Sequence, residues 1–256
     1  MAIRQIESIF DVISSLHYPD IDQSCRKGKD FHMGFSDLYD RLDQALSEGY
    51  HEDCFSLLPR LIRVIVDLSI DPGFDCSDET KSRLDTLLDH TMKGDFKQGY
   101  HTLQDMSLPD MFKAAVILDP FDRTSWHADD PEYVGEIYGQ ILEADGSFDT
   151  VVAIGHGAYR SAMMLDYLLG SHFLPIRFSR HKCSDSKPCI PQSETAYHKA
   201  LIEGRSVLVH NEDSISGEST SKVVEYLERY FSPSNIATSA CLVERAGQVD
   251  FYGKVI

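Results

Sequence analysis

Apolar residues recur along this chain with two different periods, and the change of period falls near residue 115. Before it, the spacing is helical. "FSDLYDRLDQAL" places Phe35, Leu38, Leu42 and Leu46 on one helix face. "CFSLLPRLIRVIVDLSI" is a second apolar helical segment, with Pro59 in its first turn or at a kink. "SDETKSRLDTLLDHTM" opens with Ser77 or Asp78 as N-cap and acids in the first turn. "SEGYHEDCFSLL" and "MKGDFKQGYHTL" align Gly49 with Gly94 and Phe55 with Tyr100, a period of 45. Two helical hairpins, each helix ended by a glycine, produce such a repeat. Chance produces the few matched positions equally well. Residues 1–115 therefore read as an all-helical region, a cap or an oligomerisation surface.

From Val116 to the C-terminus, short apolar runs alternate with amphipathic segments. "AAVILD", "TVVAIG", "FLPIRFS", "SVLVH" and "IATSACLVE" read as strands. "DDPEYVGEIYGQILEADG" reads as a helix, capped by Asp129 or Asp130, with Pro131 in its first turn and Gly146 near its end. "YRSAMMLDYLLG" and "STSKVVEYLERYF" read as two more, and 183–195 as a polar loop. This order predicts an α/β domain over 116–256, a mostly parallel sheet flanked by helices. Ligands in such sheets sit beyond the C-terminal ends of the strands.

Composition narrows the function classes. The 256 residues are 42% hydrophobic, enough for a buried core. Their formal net charge is −17, which argues against nucleic acid as a partner, since that contact needs a positive face. It argues equally against an anionic membrane surface. No run approaches the roughly 18 apolar residues of a membrane span. Cys25, Cys54, Cys76, Cys183, Cys189 and Cys241 show no Cys-x-x-Cys spacing, which fits free thiols in a cytoplasmic protein.

Three segments at predicted strand exits hold the residue types that chemistry needs. In "SVLVHNEDSISGEST", Val207–Val209 form a buried strand and His210 begins its exit. Asn211, Glu212 and Asp213 follow, then a turn from Ser214 to Ser219 and a helix from Ser219 or Thr220. Backbone N–H groups and hydroxyls at such a helix start suit a monophosphate. The preceding carboxylates suit sugar hydroxyls or a hydrated Mg2+. A strand whose Ser and acidic residues merely cap a helix has the same pattern. In "VVAIGHGAYRSAMMLDYLL", the strand ends at Gly155-His156-Gly157-Ala158, where glycines let backbone approach an anion and His156 or Arg160 adds charge. A hydrolase nucleophile elbow also follows a strand, but Gly157 holds the nucleophile position and Ser161 lies inside the helix. In "RFSRHKCSDSKPCIPQSE", Arg177, Arg180, His181, Lys182 and Lys187 form a basic cluster, either a lid over an anion or a solvated loop.

The first of these segments resembles the phosphoribosyl-pyrophosphate motif of the type I phosphoribosyltransferases: four apolar residues, two acids, three variable residues, then Thr/Ser-Gly-x-Thr/Ser. Ser216-Gly217-Glu218-Ser219 matches the phosphate loop. In that register the acid pair falls on Asn211 and Glu212; a loop one residue shorter uses Glu212 and Asp213. Ile215 stands where many members carry an acid. The resemblance covers residues 116–256, with the three segments in family order. It implies a phosphoribosyltransferase-like fold that binds phosphoribosyl pyrophosphate with Mg2+ and transfers the phosphoribosyl group to a base or other nucleophile. Glu212 and Asp213 would be catalytic and hold the metal, through water or directly. Arg180 and Lys182, also catalytic, would join Gly155, His156, Gly157 and Ala158 on pyrophosphate. Asn211, Ser214, Ile215, Ser216, Gly217, Glu218, Ser219 and Thr220 would bind the ribose phosphate. The amide at 211 leaves a second expectation, a regulator or sensor that binds a nucleotide or phosphosugar without turnover. Phe251 and Tyr252 are either stacking partners for an acceptor or packing residues.

Overall fold

The structure is a computed structural model that describes residues 31–50, 54, 57–58, 61, 83, 86–87, 89–91, 93–106, 116–119, 130–155, 157–178, 186–190 and 195–256. The chain divides into two compact units, Met1–Trp126 and His127–Ile256.

In the first unit, strand β1 (Phe31–Gly34) leads into helix α1 (Phe35–Glu48), and helix α2 (Phe96–Asp105) precedes strand β2 (Val116–Asp119). Leu38 and Leu42 are buried at the expected helical spacing, joined by Ala45. The glycines at the suggested repeat do end helical segments. Gly49 and Gly94 both have positive φ, and each is followed by an N–H reaching back to a carbonyl in the preceding turn: Tyr50 to Ala45 at 2.8 Å and Asp95 to His90 at 2.9 Å. Pro59, Ser77 and Asp78 lie outside the described residues. Strand 116–119 pairs antiparallel with β1, so it belongs to this unit and not to the parallel sheet.

The second unit carries α3 (Pro131–Glu143), β3 (Thr150–Gly155), α4 (Tyr159–Leu169), β4 (His172–Arg177), α5 (Thr195–Ile202), β5 (Ser206–Ser214), α6 (Glu218–Phe231), β6 (Asn235–Val243) and β7 (Phe251–Val255). Five strands form one sheet in the order β4-β3-β5-β6-β7, and every pairing is parallel. The expected α/β architecture is therefore present, a parallel sheet flanked by helices. Burial on both faces explains why β3 reads as an unbroken apolar run with all six residues buried. Val152, Ile154, Leu174, Val207 and Val209 pack on one face against Val223, Leu227 and Phe231 of α6 and Ile202 of α5. Helices α3 and α4 pack together and against the sheet, with Tyr159 of α4 set edge-on to Phe173 at 5.9 Å. Asp130 caps α3 by accepting from the Glu132 N–H at 3.0 Å, with Pro131 in first position.

Several features differ from the sequence expectation or decide between its alternatives, beginning with strand β1, which lies in a region expected to be all-helical. Helix α5 follows the polar stretch, at a place where no element was expected, because a parallel β4-to-β5 connection needs a crossover. Strand β5 continues through Asp213 to Ser214, because β6 stays paired with it to Ser214↔Val243. Phe251 and Tyr252 belong to edge strand β7: Phe251 packs edge-on against Phe148 at 6.1 Å, and Tyr252 packs beside Ala240 and Val243.

Candidate functional site

The chain leaves β3 through α4 to β4 on one side, then crosses back through α5 to β5 on the other. A crevice at such a reversal is where open α/β sheets take their ligands. Here β3 and β5 pair only as far as Ala153↔His210. Beyond that point the glycine loop leaves β3 while β5 runs on beside β6. All five strands end on the same edge, so both loops open there.

The glycine loop meets an acid. A Cβ on Gly157 would overlap the Glu212 carboxylate, so only glycine permits this approach. Gly155 is equally constrained, with the Tyr159 ring in the space its Cβ would take. Ala158 is buried and stands just before α4. Strand alternation puts Glu212 on one face of β5 and its neighbours Asn211 and Asp213 on the other. The Asn211 side-chain oxygen accepts from the Glu212 backbone N–H at 3.0 Å. The acid pair of either sequence register is thus split across the two faces, with Glu212 alone directed to the glycine loop.

The phosphate loop is organised differently. Ile215–Gly217 make the turn, and α6 starts at Glu218, one or two residues earlier than expected. Gly217 has φ 71°, a left-handed conformation that suits glycine, and no side chain caps the helix there. Ser216 Oγ accepts from the Glu218 N–H at 3.3 Å. Ser214 and Thr220, at the two ends of the loop, are 2% and 4% exposed. Their hydroxyls have no hydrogen-bond partner among the described residues. Buried hydroxyls are ordinarily satisfied, so two orphans flanking an uncapped helix start are a ligand-sized deficit. Ser219 is half-buried in the first helical turn.

Sequence reasoning missed two supports of these loops. Gln248, in the turn before β7, donates to the Ile215 carbonyl at 2.7 Å and accepts from the Arg245 N–H at 2.8 Å, bracing the phosphate loop. His210 is not the start of an exit but fully buried, with Nδ1 2.9 Å from Ser239 Oγ and Nε2 2.9 Å from Ser161 Oγ. Burial lowers its pKa from 6.5 to about 3, which keeps the imidazole neutral. Small polar residues inside apolar runs, Ser161 in "RSAMM" and Ser239 in "ATSACLV", were the available signal.

Of the basic cluster, Arg177 pairs in register with Gly155 at the end of β4, which places it beside the glycine loop. Its backbone exchanges hydrogen bonds with Cys189 in both directions, pinning the far end of the basic segment to the sheet. Lys187 is exposed. His156, Arg180, His181 and Lys182 lie outside the described residues. Among the described residues, no group of three or more His, Cys, Asp or Glu side chains is placed to hold a metal. No described helix is long and apolar enough to cross a membrane.

The fold is that of an α/β protein, with two strand–turn–helix loops at the C-terminal edge of its parallel sheet. No family model and no curated protein matches the sequence. Solved structures are similar to it in fold. A purine phosphoribosyltransferase from Pyrococcus horikoshii is similar at 17% identity over 50% of this chain and 82% of that one, with TM-score 0.38. A Neisseria gonorrhoeae protein described as hypothetical, with bound ppGpp, is similar at 15% identity over 48% and 76%, TM-score 0.39. A Staphylococcus aureus hypoxanthine phosphoribosyltransferase is similar at 18% identity over 52% and 74%, TM-score 0.36.

Proposed function

We propose that the crevice between β3 and β5 binds phosphoribosyl pyrophosphate and that the chain transfers its phosphoribosyl group to a nitrogenous base or other nucleophile. One observation carries the reading: the partnerless buried hydroxyls of Ser214 and Thr220, flanking the turn at Gly217 and the α6 N-terminus. A 5′-phosphate accepts hydrogen bonds from both, and from the N–H groups that a helix start leaves unpaired. Glu212 lies within the same crevice, suited to the ribose diol. Gly157 and Arg177, which pairs in register with Gly155, then stand nearest the pyrophosphate. In the transfer, the bond from C1 of the ribose to pyrophosphate oxygen breaks and its electron pair leaves with pyrophosphate. A bond from C1 to the acceptor forms, and fixed cations stabilise the leaving charge.

Mg2+ fits this site as an ion carried by the polyphosphate rather than by a protein cage. Such ions keep several waters and take one or two carboxylates plus phosphate oxygens. Of the two expected ligands, Glu212 is the one on the crevice face and would hold it, whereas Asp213 on the opposite face of β5 is not placed to share it. The ion would neutralise charge on the leaving group.

A second reading has its own support. The Glu212 carboxylate sits against Gly157, where an incoming pyrophosphate would meet like charge, and Asn211 is an amide. These favour a protein that holds a nucleotide or phosphosugar and does not turn it over. Calorimetric titration with phosphoribosyl pyrophosphate, with and without Mg2+, tests both readings alongside an assay of pyrophosphate release with purine and pyrimidine bases. Micromolar binding with release supports transfer. Binding without release selects the second reading, and no binding by wild type while Glu212→Ala is also silent removes both.

A further inference from the structure

His210 occupies a place that its sequence neighbourhood does not explain. It sits in a parallel strand between Val209 and Asn211, in the middle of the sheet, with no exposure. An aliphatic residue would fill such a position at no cost in polar burial. The imidazole instead joins three elements. One proton arrangement satisfies all of these contacts together. Ser161 Oγ donates its single proton to the Ala158 carbonyl at 3.2 Å, so its oxygen accepts from His210 Nε2–H. Nδ1 is then the acceptor for the Ser239 hydroxyl on β6. The Cys241 thiol, 3.8 Å from Nε2, is the titratable group beside the ring.

Both ends of this chain bear on the crevice. Ala158 directly follows Gly157, and Glu212 follows His210 by two residues on the same face of β5. The ring therefore lies beneath the contact between the Glu212 carboxylate and Gly157. We propose that His210 is a positioning residue, which sets the glycine loop against Glu212 through Ser161 and so fixes the shape of the pyrophosphate half of the crevice. This rests on the reading of the crevice as a phosphoribosyl-pyrophosphate site. It assigns to His210 one half of that site and not the other: the phosphate loop is braced by Gln248 and has no described bond to the imidazole.

The test uses two probes, inorganic pyrophosphate and ribose 5-phosphate, titrated into the full chain and its variants. His210→Leu removes both hydrogen bonds, Ser161→Ala removes the link to Ala158, and His210→Gln keeps a donor near the Nε2 position. Pyrophosphate affinity should fall about tenfold in His210→Leu and in Ser161→Ala, with no further loss in the double variant. His210→Gln should recover most of it. Ribose 5-phosphate affinity should stay within about twofold throughout. Equal loss of both probes, or additive loss in the double variant, overturns the positioning role. Wild type that binds neither probe removes the underlying reading and this inference with it. Wild type that binds both, with unchanged pyrophosphate affinity in Ser161→Ala, removes the inference alone. Should His210→Leu fail to fold, Ser161→Ala and His210→Gln still decide.

Discussion

Two loops leave the same edge of the sheet by the same path, strand to turn to helix, yet they handle their polar groups in opposite ways. The glycine loop after β3 packs against a carboxylate from the same chain, and the space at Gly157 is taken by Glu212. The phosphate loop after β5 is braced from outside by Gln248 but takes in no acid: Gly217 leaves its helix uncapped, and Ser214 and Thr220 bury hydroxyls that reach no partner among the described residues. A helix start alone is not a site, since most are capped by their own residues or by water. What separates these two is satisfaction. One loop has an internal anion; the other carries a deficit that an external one would relieve.

The largest expected effect breaks the glycine loop alone. Gly157→Val pushes into the Glu212 carboxylate, but the obstructing atoms are the end of a flexible side chain, so Glu212 swings out and the backbone holds. Stability should fall by only about 1 kcal/mol. Pyrophosphate affinity should fall about a hundredfold as the bulk fills the approach, with ribose 5-phosphate affinity unchanged. Parallel loss of both in calorimetry would show that the two loops are not separable halves.

Next in size is a pH effect from beneath the contact between them. His210 has a folded pKa of about 3 against an ordinary 6.5. Above pH 6.5 both folded and unfolded states carry it neutral, and its burial carries no titration penalty. Between 6.5 and 3 the unfolded chain takes up a proton that the native state refuses, so stability drops as pH falls. The drop is about 1.4 kcal/mol per pH unit, or about 2 kcal/mol by pH 5. Urea midpoints of wild type and His210→Leu between pH 7.5 and 5 isolate this component. Profiles that run parallel would mean the ring is not held neutral.

How much of this was readable in the sequence depends on how local each cause is. Apolar runs such as "TVVAIG" disclosed buried parallel strands, and glycines at 155, 157 and 217 disclosed the loops, because those constraints act within a few residues. The extension of β5 was hidden. "NED" looks like the end of a strand, and only the equal length of β6 keeps it paired. The split of Glu212 from Asn211 and Asp213 followed from that extension, and so was hidden with it. Helix α5 was obscured because "TAYHKALI" is short and His198 and Ile202 are its only buried positions. The bonds joining His210 to Ser161 and Ser239 span 49 and 29 residues, a separation at which no periodicity speaks.

A smaller effect sharpens the comparison at the phosphate loop. Gly217→Ala forces a left-handed φ of 71° on a side chain, though its Cβ would meet only Ser214 Oγ at an ordinary 3.9 Å. The cost is conformational, about 1 kcal/mol, and Gly217→Asn should recover part of it, since asparagine tolerates that region. Thermal unfolding of the pair measures this. Equal destabilisation by Ala and Asn would place the cause in packing and not in backbone angle.

The smallest effect in stability is the most diagnostic, because its sign is unusual. Removing a buried polar group normally destabilises a protein by stranding its partner. Ser214 and Thr220 have no partner to strand. In the ligand-free chain their hydroxyls carry a desolvation cost that no hydrogen bond offsets, so Ser214→Ala and Thr220→Val should each raise stability by about 0.5 kcal/mol. The same substitutions should weaken ribose 5-phosphate binding about fivefold each and leave pyrophosphate binding unchanged. Opposite signs in folding and binding are what a site pays to stay open for an anion, and packing defects do not produce them. Chemical denaturation with and without saturating ribose 5-phosphate reads both at once. If the two variants lose stability without ligand, the hydroxyls have satisfied roles in the fold, and the contrast between the open loop and the filled one disappears.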